Sequence, residues 1–113
     1  MSDAVAGVVS SVRFDRAQTP DEGARVTSRV LYRDPSGAFK TGFWSALAGA
    51  PAPISYTMDE LCVLLEGEVR LVDAAGHAEL YRAGDTFVIP NGFVGTWQTL
   101  VDVRKFFAVF KPG

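Results

Sequence analysis

The sequence predicts an all-β fold, a sandwich or small barrel of short strands. Three observations carry that expectation. β-Branched and aromatic residues recur in short runs from residue 26 to residue 110. Turns bearing glycine or proline separate the runs at about 8–12-residue spacing. The one stretch with helical composition, residues 45–52, is interrupted by Gly49 and Pro51, which a helix interior does not tolerate.

The elements follow in order. Residues 1–25 read as an arm; its second half is polar and holds Pro20 and Gly23, and its first half carries one short strand near residues 8–14. A single domain occupies residues 26–113. Residues 26–32 form its first strand. Asp34-Pro35-Ser36-Gly37 makes a turn, because proline presets φ and glycine tolerates a positive one. Residues 39–47 form the next strand, and the Pro/Gly-rich stretch 49–53 is a break. Strands are then expected over 55–66, 68–73, 77–81, 86–89, 93–100 and 103–110, so that Lys105 opens the last of them. Glu66-Gly67, Asp73-Ala74-Ala75-Gly76, Ala83-Gly84-Asp85 and Pro90-Asn91-Gly92 supply turns between them. Gly67 is read as closing a hairpin that needs φ above zero. Pro90 ends a strand because it cannot donate to a ladder.

Length and composition narrow the class. At 113 residues the chain is one domain, and folding buries roughly two thirds of its extended surface, so a core needs neither disulfide nor metal. With 48% hydrophobic residues and a net charge of −2, the chain is too apolar and too nearly neutral for disorder. Thirteen acidic against eleven basic residues leave no basic face for nucleic acid. No apolar run approaches the roughly 20 residues of a membrane-spanning helix. The N-terminus lacks a basic region, and Arg13 and Asp15 break its weak apolar stretch, so a cytoplasmic protein is expected. A single cysteine, Cys62, excludes an internal disulfide framework, and a single histidine, His77, excludes sites built from two or three histidines.

Two segments carry a resemblance. In the first, Glu60 is followed after six residues by Gly67; in the second, Gly84 is followed after five residues by Pro90-Asn91-Gly92. Together they resemble the two motifs of the cupin superfamily. The stretch Gly92-Phe93-Val94-Gly95-Thr96-Trp97, with Val103-Arg104-Lys105-Phe106 after it, is similar to the small single-domain cupins of the ethanolamine-utilisation and ureidoglycine-aminohydrolase-like group. The resemblance spans residues 41–110. It implies a double-stranded β-helix, the RmlC-like jelly-roll barrel, with about eight core strands. It also implies a homodimer, and the arm has enough apolar residues, Val5, Val8, Val9, Val12 and Phe14, to add a strand to a neighbouring subunit.

The departures from that pattern bear on function. Metal-binding cupins place two histidines before the glutamate and one after the Pro-x-Gly. Here the glutamate is kept as Glu60. The first two histidine positions fall on Pro53 and Ser55, or on Ile54 and Tyr56 with a spacer one residue shorter, and the third falls on Gly95. None replaces an imidazole, and a transition metal needs about three protein ligands. No bound metal or other cofactor is expected. His77 follows a hairpin turn and reads as exposed.

Strand alternation nominates what remains inside. Cys62 and Leu64 share the face of Glu60, and Tyr56 and Met58 join it unless a bulge intervenes. Gly95 leaves a hole there, flanked by Trp97, and Trp44 reaches the same cavity from another strand. Of Arg104 and Lys105, the resemblance turns Lys105 inward, where it pairs with Glu60 or anchors a ligand carboxylate. Glu60 is either a general acid/base or a carboxylate tied to a lysine, arginine or tyrosine. Cys62 reads as a small hydrophobe without a base to activate it.

These residues nominate a metal-independent cupin that binds a small polar metabolite, a nitrogenous one if it follows the group it resembles. The ligand-binding candidates are Trp44, Tyr56, Glu60, Cys62, Trp97 and Lys105. One alternative is an enzyme of amine, ureide or sugar metabolism, with Glu60 as acid/base and Lys105 as its electrostatic partner. Another is a dimeric interaction module with a filled barrel. An open cavity with Glu60 at its base favours the first two; a barrel packed shut favours the third.

Overall fold

A computed structural model describes residues 25–112. The strand expected near residues 8–14 and the arm's pairing with a neighbouring subunit lie outside the described residues. Seven antiparallel strands and no helix make up the rest. No helix is therefore long and apolar enough to cross a membrane among the described residues.

Strands β1 (Val26–Arg33) and β2 (Phe39–Ala46) form a hairpin closed by the Asp34-Pro35-Ser36-Gly37 turn. The Asp34 carboxylate fastens that turn, accepting from the Ser36 hydroxyl at 2.6 Å and from the Phe39 N–H at 2.8 Å. Strand β3 (Ala52–Ser55) comes next, where the sequence predicted only a break. It pairs with a single neighbour, so the missing N–H of Pro53 interrupts no second ladder. Residues 56–58, expected in a strand, turn the chain instead. Strands β4 (Asp59–Asp73), β5 (Ala78–Arg82), β6 (Thr86–Ile89) and β7 (Val94–Phe110) complete the fold.

The long strands correct the sequence reading. Residues 55–66 and 68–73 were expected as two strands around a Gly67 hairpin, and 93–100 and 103–110 as another two. Instead β4 and β7 each run through, paired along their length. Gly67 does adopt a positive φ of 92°, but within β4, where the register shifts between Leu64 and Val69. A Cβ at Gly67 would lie 2.3 Å from the Asp102 carbonyl oxygen. This bulge bends the pair sharply, as an extra unpaired residue does.

The bend divides the pairing into two sheets. One holds β1, β2, the second half of β7, the first half of β4, and β6; the other holds β3, the first half of β7, the second half of β4, and β5. Their inner faces meet in a core of Cys62, Leu64, Phe87, Ile89 and Val103 from the first sheet with Val69, Leu71 and Trp97 from the second. Tyr81 of β5 stacks on Phe87 of β6 at 3.9 Å between ring centroids. This all-β arrangement is a jelly roll.

Burial alternates along β7 as the period of two requires: Val103, Lys105, Phe107 and Val109 are buried, and the residues between them are half-exposed. Lys105 thus lies mid-strand rather than at a strand start. Leu61, Val88 and Phe110 stay exposed.

Candidate functional site

Two charged side chains sit on the inward face of the first sheet. Glu60 of β4 and Lys105 of β7 are 6% and 5% exposed. Ions are rarely buried this deeply without partners. Here they partner each other: Lys105 Nζ donates to Glu60 Oε2 at 2.7 Å. The second carboxylate oxygen, Oε1, accepts from the Tyr56 hydroxyl at 2.5 Å. Tyr56 reaches it from the turn between β3 and β4, whose backbone is fixed by the Tyr56–Phe93 and Gly92–Tyr56 hydrogen bonds. Burial, and then the charge of Glu60, push the Tyr56 hydroxyl pKa far up, so Tyr56 remains a neutral donor.

The ammonium is held on other sides too. Its Nζ lies 4.8 Å from the Trp44 ring centroid and 4.6 Å from that of Trp97. The two indoles meet edge to face at 5.4 Å and 85°. A cation against two indole faces gains on the order of 1 kcal/mol from each when desolvated. The Trp97 indole N–H is satisfied by the Thr99 hydroxyl at 3.0 Å. Lys105 Nζ also lies 3.7 Å from Cys62 Sγ. Burial pushes the Cys62 thiol pKa up to about 12, against the opposing pull of Lys105, so Cys62 stays protonated and inert.

These groups border a cavity of about 330 Å³. Trp44, Tyr56, Glu60, Trp97 and Lys105 all line it, together with Ile54, Phe107 and Val109. Cys62 does not. It is wholly buried, in contact with Lys105, so the structure removes it from the cavity wall where the sequence reading placed it. The indoles also border a second cavity of about 400 Å³.

Gly95 is a further correction. The sequence reading made it a hole at a lost histidine position. A Cβ there would lie 2.0 Å from the Val72 carbonyl oxygen and 3.0 Å from Asp73 Cα. The backbone of β4 fills that space, and no side chain fits. His77 sits at the turn before β5, 2.6 Å from Glu79 with its side chain 67% exposed, and it does not line the cavity that holds Glu60. Arg104 points the other way from Lys105 and meets Glu66 at 2.7 Å.

The donor set does not fit a transition metal. Of the two alignments weighed for the missing histidines, the one on Ile54 and Tyr56 falls on the cavity wall, and neither residue is an imidazole. The Lys105 ammonium lies against Glu60, the one carboxylate among the described residues of the cavity wall. Among the described residues no three His, Cys, Asp or Glu side chains converge.

Sequence reasoning missed the apolar part of the lining and two polar residues in it, Ser28 and Lys40. The signal for Lys40 was present: it stands four residues before Trp44 in one strand, and so on the same face.

The sequence profile of the EutQ-like cupin domain matches residues 33–107. No curated protein matches the sequence. Among solved structures, one of a Salmonella typhimurium LT2 protein assigned to ethanolamine utilization as protein Q (EutQ) is similar, with 28% identity and a TM-score of 0.68, over 92% of this chain and 83% of that one. A DUF861 family protein from Thermotoga maritima is 28% identical with a TM-score of 0.55, over 57% of this chain and 73% of that one. The EutQ protein of Clostridium difficile shares the fold at 14% identity and a TM-score of 0.67, over 90% of this chain and 78% of that one.

Proposed function

This chain belongs to the EutQ-like cupin domain family, and we propose that its barrel binds a small polar organic metabolite without a metal ion. The observation that supports this reading is the open cavity of about 330 Å³ with the Glu60–Lys105 pair in its wall. Its size lies in the range of small-molecule sites, and it combines apolar walls with a few convergent polar groups. A barrel filled by its own side chains, as the interaction module requires, would leave no such space. Lys105 supplies the fixed positive charge that a bound metal would otherwise bring, and Trp44 and Trp97 hold it in place. The ligand meets a preorganised base of one ammonium, one carboxylate and one phenol.

A second reading makes Glu60 a general acid/base. The Tyr56–Glu60 hydrogen bond favours it, since it offers a proton path to the carboxylate. Glu60→Gln separates the two. Loss of turnover in a metabolite screen, with binding retained, supports catalysis. Weakened binding without any chemistry supports the binding protein. Unchanged binding and activity would remove Glu60 from the site.

The homodimer is part of the same proposal. Leu61, Val88 and Phe110, exposed along the outer face, support it. Sedimentation of the full chain tests it, and a monomer at micromolar concentration contradicts it.

A further inference from the structure

The cavity contains a charge that its own residues do not neutralise. Lys40 lines the cavity from β2 and is half-buried. Its Cα partner across the ladder is Val109, whose partner on the other side is Glu60. Lys40 and Glu60 thus stand two strands apart on one inward face, roughly 10 Å between Cα atoms by strand spacing. Each Glu60 oxygen already has a partner, Tyr56 on one and Lys105 on the other, so its charge is balanced within the wall. The Asp34 carboxylate at the end of the same hairpin is taken by Ser36 and the Phe39 N–H. Among the described residues no carboxylate pairs with Lys40. Its cross-strand neighbour is another cation, Arg33. Lys105 and Glu60 cancel, so the described residues of the cavity wall carry one surplus positive charge.

The surfaces nearest Lys40 are apolar: Val109 beside it, Phe107 two residues along β7, and Ile54 across the cavity on the other sheet. We propose that the cavity takes a small organic monoanion, its carboxylate paired with Lys40 and its apolar body against Ile54, Phe107 and Val109. This rests on the binding reading above and names the ligand's chemical class. A charge-assisted contact at a half-buried ammonium is stronger than a neutral hydrogen bond, and it selects the sign of the ligand. A cationic ligand would face the surplus charge of Lys40 and would find the charge of Glu60 already balanced.

Three probes of similar size vary the charge on one ring: benzoate, benzamide and benzylamine. Both tryptophans of the chain line the cavity, so their emission reports occupancy. Benzoate is expected to bind more tightly than benzamide, and benzylamine to bind least. Lys40→Met keeps the apolar stem and should weaken benzoate about tenfold, the effect of one charge-assisted contact, while leaving benzamide unchanged. Equal affinity for benzoate and benzamide, a preference for benzylamine, or benzoate binding untouched by Lys40→Met would each overturn the anion assignment while leaving the cavity a binding site. Failure of all three to bind at millimolar concentration would overturn it as well. The binding reading would then stand or fall on ligands that copurify with the protein.

Discussion

The Lys105 ammonium lies 2.7 Å from Glu60 Oε2 and under 5 Å from the centroids of both indoles, with only 5% of the residue exposed. This is a buried ion pair with nearly every direction occupied. Desolvating two charges offsets most of their mutual attraction, so the pair adds little net stability, whereas removing one partner strands the other. Lys105→Met is therefore expected to destabilise the fold by about 3–5 kcal/mol. Lys105→Met combined with Glu60→Gln should recover most of that loss. Urea unfolding of the single and double variants measures both effects, and strictly additive losses would contradict this account of the pair.

The Cys62 thiol ties stability to high pH. Its pKa rises from 9.0 to about 12 through burial, so the folded chain holds its proton where the unfolded chain has lost it. The contribution is complete below pH 9.0 and disappears as pH climbs towards about 12. The raised Tyr56 hydroxyl acts in the same direction. The urea midpoint should fall progressively across that window. A thiol reagent at neutral pH should label Cys62 only as fast as the protein opens, and rapid labelling of the native state would show that the sulfur is accessible.

Gly95 offers a test of the closed histidine position. Gly95→His restores the residue type that metal-binding cupins have there, but its Cβ would meet the Val72 carbonyl oxygen at 2.0 Å. The substitution should destabilise the fold by roughly 3 kcal/mol or more, at the upper end of overpacking effects. It should not create zinc or nickel binding. Calorimetric titration with those ions checks the second point, and a stable variant that binds metal would show that β4 can move aside.

Gly67 tests the bulge that bends β4. A side chain there is opposed twice, by φ of 92° and by the Asp102 carbonyl oxygen 2.3 Å from the Cβ position. Gly67→Ala should cost about 2 kcal/mol or more in thermal or urea unfolding. A neutral substitution would mean that the strands cross between sheets by some other means.

Much of this site was legible because strand alternation is strict. Once Glu60 is placed inward, Cys62 and Leu64 follow, and Trp97, Thr99 and Lys105 obey the same parity across β7. The turn residues Gly37, Gly76, Gly84 and Gly92 likewise take positive φ as their positions require. What alternation does not report is depth. Cys62 lies on the correct face but beneath Lys105, because the lysine side chain extends over it to reach Glu60. Nor does a glycine reveal whether it marks a turn or a bulge: Gly67 needs positive φ in either case, and only the carbonyl of Asp102 opposite it decides. Lys40 was overlooked since a lone lysine beside a turn ordinarily belongs to solvent. Strand β3 was hidden by Pro51 and Pro53, which an edge strand accommodates.

The central claim is an organic ligand in a metal-free barrel, and native mass spectrometry with elemental analysis of chain purified without chelator tests it most directly. The expected result is no stoichiometric zinc, iron, nickel or manganese, and a bound small organic mass. One equivalent of a transition metal would contradict it.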